Sequence, residues 1–110
     1  MIRRITTREI RAKLGFSENF QLVEVTSPEE FDRGHIPGAI SLPPNLLETR
    51  VQTYLPNKGL EVVVYSASGD SVEGRLAAEG LERLGYENIY WYESGKAEWI
   101  RENLTIQQTH

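Results

Sequence analysis

Apolar positions along this chain fall into short clusters separated by polar turns, and their spacing switches repeatedly between strand-like and helix-like. Residues 20–25 (FQLVEV) are apolar and β-branched with poor alternation, as expected of a strand covered on both faces. Glu61–Tyr65 (EVVVY), entered through Pro56, Asn57, Lys58 and Gly59, is the clearest strand. Residues 39–42 predict a short strand that Pro43 and Pro44 stop, and Asn88–Tyr92 predicts another.

Between these strands the spacing turns helical. Thr7 is placed to cap a helix over residues 8–14 that Gly15 ends. Ser27, Pro28 and Glu30 read as N-cap, first helical position and capping-box partner of a short helix reaching Arg33. Leu46, Leu47, Val51, Tyr54 and Leu55 mark a helix over residues 45–54. Val72, Leu76, Ala77, Leu81 and Leu84 form one apolar stripe of a helix ending at Gly85, with Arg75, Glu79 and Arg83 on its solvent face. Gly74 and Gly80 inside that helix each cost roughly 1 kcal/mol relative to alanine, so close packing on a sheet is expected there. Residues 95–103 predict a last helix with Trp99 and Ile100 inward, followed by a polar tail, residues 105–110, expected to fray. This alternation implies an α/β domain with a mainly parallel, five-stranded sheet and helices on both faces, whose ligands sit at the carboxyl ends of the strands.

Composition narrows the function classes. At 110 residues the chain is expected to be one domain, residues 1–110, that buries a core without disulfides or metals. Twelve basic against sixteen acidic side chains give a net charge of −4, with no Lys/Arg block to track a phosphate backbone, so nucleic acid is not the expected partner. MIRRITTREI lacks the apolar run of a secretory signal, and no segment approaches about 18 continuous apolar residues, so a cytoplasmic protein without membrane contact is expected. The sequence contains no cysteine, which removes disulfides, thiolate metal sites and thiol nucleophiles together. His35 and His110 are the only histidines, and neither they nor the acids have metal-ligand spacing, so no metal or cofactor is expected.

The segment VVVYSASGDSVEG, residues 62–74, runs from the clearest strand through a glycine-containing loop into a helix. Ser66 holds the first loop position, where α/β proteins place nucleophiles over backbone amides. A serine nucleophile needs a hydrogen-bonded base; His35 lies in a turn and His110 in the tail, so a serine hydrolase is not the expected reading. Asp70 and Glu73 have capping-box spacing, and a loop capped by its own carboxylates would hold anions weakly. Trp91, Tyr92 and Trp99 read as core aromatics before they read as a partner patch.

LVEVTSPEEFDRGHIPGAISLP, then VVVYSASGDS with its following helix, then GYENIYWYESGKAEW resemble, in order, the signature blocks of the rhodanese family. The resemblance spans about residues 5–103 and implies the rhodanese-like α/β fold. It makes Ser66, Ala67, Ser68, Gly69, Asp70 and Ser71 the counterpart of the family's active-site loop, whose first residue is a cysteine that carries sulfane sulfur as a persulfide. By the same resemblance Ser71 stands where an arginine often holds the anionic donor, and Thr26 where another arginine is frequent. Glu24 matches an acid that hydrogen-bonds the loops around the site, His35 a structural turn residue, and Tyr65 a packing position before the loop. An alcohol has no persulfide chemistry, and loss of the two arginines implies that the charge network around the site is dismantled. The expected function is therefore a binding or regulatory module, with an unknown protein as partner, lacking sulfurtransferase activity. The alternatives are a thiosulfate sulfurtransferase-type enzyme whose cysteine was exchanged for serine, and a different or residual activity at the Ser66 loop.

Overall fold

The computed structural model describes residues 1–16 and 19–109. Five strands, β1 (Ile2–Arg4), β2 (Phe20–Glu24), β3 (Ile40–Ser41), β4 (Glu61–Tyr65) and β5 (Asn88–Tyr92), pair in the order β1-β5-β4-β2-β3, and all four pairings are parallel. The helices are α1 (Thr7–Gly15), α2 (Pro28–Arg33), α3 (Leu47–Tyr54), α4 (Glu73–Arg83) and α5 (Gly95–Arg101). Among the described residues no helix is long and apolar enough to cross a membrane.

The poor alternation of β2 and β4 has its expected cause. Val23, Val62 and Val64 join one buried cluster under α3 and α4, while Leu22, Val63 and Tyr65 join the other, under α1 and α5. The edge strand β1 lies in a segment whose apolar content is too slight for a strand signal; its register against β5 supplies the hydrogen bonds, and its exposed Arg3 and Arg4 charge the sheet edge.

Several local expectations shift. Thr6, one residue earlier than expected, caps α1 and exchanges hydrogen bonds with Glu9 in a full capping box. Ser27 caps α2 by accepting the Glu30 amide, but the Glu30 carboxylate pairs with buried Lys96 and with Arg33 instead of reaching back to Ser27. On α4 the buried face is Gly74, Ala77, Ala78 and Leu81, whereas Val72 and Leu76 are 48% and 52% exposed. Small residues face the sheet because the helix lies close to it: a Cβ on Gly74 would sit 3.0 Å from Trp91 Nε1. Trp99 is buried as expected, but Ile100 is half exposed.

The tail is tied down instead of frayed through Thr109; His110 lies outside the described residues. Gln107 and His35 exchange backbone hydrogen bonds of 2.8 and 2.9 Å, Ile106 packs against the second cluster, and the Thr109 amide reaches the Asp32 carbonyl. His35 Nδ1 donates to the Phe31 carbonyl oxygen, 3.0 Å away, and its ring stacks on Phe31 at 3.8 Å, so its role is to hold the turn.

The topology locates the crevice. From β2 the chain moves outward to β3, then returns past β2 to β4 and onward to β5, so its direction reverses between β2 and β4. Ligands of open α/β sheets bind at the carboxyl ends of strands flanking such a reversal. Val25 and Ser66 follow those two strand ends, and the Val25 amide continues the ladder to Tyr65 O at 2.8 Å.

Candidate functional site

Ser66 leaves β4 almost fully buried, at 4% exposure. Its carbonyl accepts the Lys96 amide at 2.9 Å and the next carbonyl, of Ala67, accepts the Ala97 amide at 2.8 Å, so the loop is plugged into the first turn of α5. That close approach requires Gly95, which has φ +76° and would place a Cβ 2.9 Å from Ser66 O and from two backbone atoms of Ser68.

The Ser66 hydroxyl donates toward Val25 O at 3.2 Å and lies 2.9 Å from Ser71 Oγ, which in turn donates to the Glu73 carboxylate. With its own proton given to Glu73, Ser71 can only accept from Ser66. The single Ser66 proton is thus shared between a backbone carbonyl and a second hydroxyl, with no imidazole as its partner among the described residues.

The carboxylate-capped loop expected from Asp70 and Glu73 does not form. The Ser71 amide bonds Ser68 O in a turn that delays the helix, α4 begins at Glu73 with Val72 in the N-cap position, and no side chain caps it. Asp70 is exposed at the loop tip, while Glu73 serves as acceptor for Ser71. Ser66 and Ala67 line a groove of about 470 Å³ floored by Val25, Pro28, Pro43 and Pro44, with Glu30 and Glu73 on its sides. Among the described residues no basic side chain lines it.

Behind the groove lies a charge network built on Lys96, with neither of the positions matched to the family's arginines, Thr26 and Ser71, supplying a cation. Lys96, 3% exposed, sends Nζ to Glu24 Oε2 and Glu30 Oε2, both at 2.8 Å, and to the Gly34 and Glu30 carbonyls. Glu24, fully buried, also accepts the hydroxyls of Tyr65 at 2.7 Å and of Thr26 at 2.5 Å. The Tyr65 oxygen in turn accepts the Ile36 amide at 3.1 Å. Burial, reinforced by the Glu24 charge, pushes the Tyr65 hydroxyl far above its ordinary range and keeps it a donor. This cluster joins β2, α2, β4 and α5 beneath the loop. Sequence reading missed Lys96; the available signal was Glu24, a carboxylate inside an apolar strand that demands a buried cation.

The Glu30 carboxyl is held below its ordinary 4.5, first by its hydrogen bond to Lys96 and next by that to Arg33. A carboxyl with a lowered folded-state pKa contributes stability that is complete above the unfolded value and is lost as pH falls through the folded one. Urea titrations between pH 6 and pH 3 should therefore show a steeper loss below about pH 4.5 in the natural chain than in Glu30→Gln. Parallel curves would show that Glu30 gives no acid-linked stability.

A sequence model described as Rhodanese-like domain matches residues 6–102. A protein named Sulfurtransferase from Allochromatium vinosum is 30% identical over 106 residues, covering 96% of this chain and 95% of its own length. The uncharacterized protein YqhL of Bacillus subtilis is 32% identical over 99 residues, 90% of this chain and 73% of that protein. Among solved structures, the BH2092 protein of Bacillus halodurans superposes with a TM-score of 0.88 at 22% identity, over 97% of this chain and 77% of the other. A human single-domain sulfurtransferase, TSTD1, does so at 0.80 and 27% identity, over 90% and 96%.

Proposed function

Because the chain belongs to the rhodanese-like domain family, we propose that it is a member that does not transfer sulfur and instead uses the Ser66 groove for recognition. The observation that carries this reading is the absence of any cysteine from the sequence. Sulfur transfer needs a thiolate to attack the outer sulfur of a donor such as thiosulfate, release sulfite, hold the sulfur as a persulfide and yield it to an acceptor. Ser66 takes the nucleophile's place in the loop but is an alcohol whose proton is shared between Val25 O and Ser71. Ser71 gives its hydroxyl to Glu73, so the position matched to the donor-binding arginine presents a carboxylate to an anionic donor. The intact scaffold around this loop, with the Lys96 cluster beneath it, supports a retained binding role.

Thiosulfate-to-cyanide transfer by the natural chain should stay at the uncatalysed background. Turnover that Ser66→Ala abolishes would overturn the reading. Ser66→Cys alone should remain near background, because Glu73 still repels the donor and Ser71 cannot hold it; Ser66→Cys with Ser71→Arg should recover measurable transfer. Brisk activity from Ser66→Cys alone would instead identify a sulfurtransferase lacking only its cysteine.

A further inference from the structure

The groove beside Ser66 has a chemical character that the recognition reading leaves unspecified. Its floor is apolar, from Val25, Pro28, Pro43, Pro44 and Ala67. It runs on into a second groove of about 320 Å³ that shares Val25, Pro44, Asn45 and Glu73 and is bordered by Leu76. Leu76, which borders this second groove, exposes about half its surface although its spacing reads as core, as does Val72 at the N-cap of α4. Exposed apolar side chains continuous with an apolar groove mark an interaction surface more than scattered ones do.

The charges on its walls select the occupant. Glu24 and Glu30 face Lys96, and Glu30 also pairs with Arg33, so two carboxylates are balanced by two cations. Glu73 is left: one of its oxygens accepts the Ser71 hydroxyl, and no cation pairs with it among the described residues. Asp70, exposed on the same loop, adds a second negative charge. Arg75 lies on the opposite side of α4, in a cleft with Arg4 and Trp91. Among the described residues Arg83, in the second groove, is the one cation lining either trough.

We infer, resting on the recognition reading above, that this trough receives an apolar segment of a partner protein carrying an arginine or lysine, whose cation meets Glu73. An apolar floor edged by Glu73 and, in the second groove, Glu48, neither paired with a cation among the described residues, favours a cationic, amphipathic segment and rejects acidic ones by like-charge repulsion. The same charge that disfavours an anionic sulfur donor thereby becomes the specificity element.

The test is panning of a phage-displayed random dodecapeptide library against the full chain, followed by fluorescence anisotropy of the enriched peptides. Enrichment of Arg or Lys next to Leu, Ile, Val or Pro is expected. Glu73→Gln should weaken the enriched peptides about fivefold, the value of a partly exposed ion pair of ~1 kcal/mol, and raising salt should shrink that difference. Leu76→Asp, at an exposed position, should weaken them further, whereas Glu79→Gln on the same helix should leave them unchanged. No enrichment, enrichment of acidic sequences, or binding indifferent to Glu73→Gln and Leu76→Asp would each overturn the inference. So would sedimentation showing that the trough is closed by a second copy of the chain. None of these outcomes bears on sulfur-transfer turnover, which tests the parent reading separately.

Discussion

Replacing Lys96 by methionine should lower the unfolding free energy by about 3–5 kcal/mol, the range for removing one member of a buried ion pair. Methionine fills much of the same volume, so packing loss is a small part of the effect. The main cost is electrostatic: Glu24, fully buried, loses its cation, and the Gly34 and Glu30 carbonyls lose their donor. Guanidinium unfolding at pH 7, followed by circular dichroism, measures the loss. Adding Glu24→Gln to Lys96→Met should recover part of it, because the uncompensated charge is then gone while the amide oxygen still accepts from Tyr65 and the amide NH2 donates to the Thr26 hydroxyl. A loss under about 1 kcal/mol for Lys96→Met would show that the pair behaves as a solvated surface contact.

Gly95→Ala should also be costly, by about 2–5 kcal/mol, the sum of left-handed backbone strain and overpacking. The φ of +76° disfavours any side chain, and the added Cβ would lie 2.9 Å from Ser66 O, Ser68 N and Ser68 Cα. These are backbone atoms, so relief requires the loop to move. Gly85 provides the comparison, since its φ of +93° carries the same strain but a Cβ there would meet only the Lys58 side chain, at 3.8 Å and beyond. Gly85→Ala should thus cost about 1–2 kcal/mol and leave the amide resonances of Ser66 and Ser68 in place, while Gly95→Ala shifts them. Equal losses and unshifted resonances in both variants would show that α5 does not set the loop.

Much of the architecture was legible because local signals and global fold agree. The β-branched EVVVY run, the Ser27-Pro28 helix start and the expectation that Gly74 packs against a sheet all survive in the structure. The departures occur where spacing alone cannot say which way a face points. Val72 and Leu76 satisfy helical periodicity but start a helix that buries Gly74, close against Trp91 of the sheet, and Ala78, so they turn outward. Asp70 and Glu73 satisfy capping-box spacing, yet the turn closed between Ser68 and Ser71 delays the helix and gives Glu73 a different partner. The polar tail gave no strand signal; its order comes from pairing with His35, far away in sequence.

By itself the sequence determined the fold class, the position of the Ser66 loop at a strand end and the absence of thiol chemistry, because periodicity, turn residues and composition are local properties. Only the tertiary structure decided what surrounds that loop. Lys96 meets Glu24 across 72 positions of chain, Ser66 meets Val25 across 41, and Glu73 is left without a cation among the described residues while Glu24 and Glu30 share Lys96. Which charges cancel depends on distances between distant segments, and those exist only after the strands have taken their order.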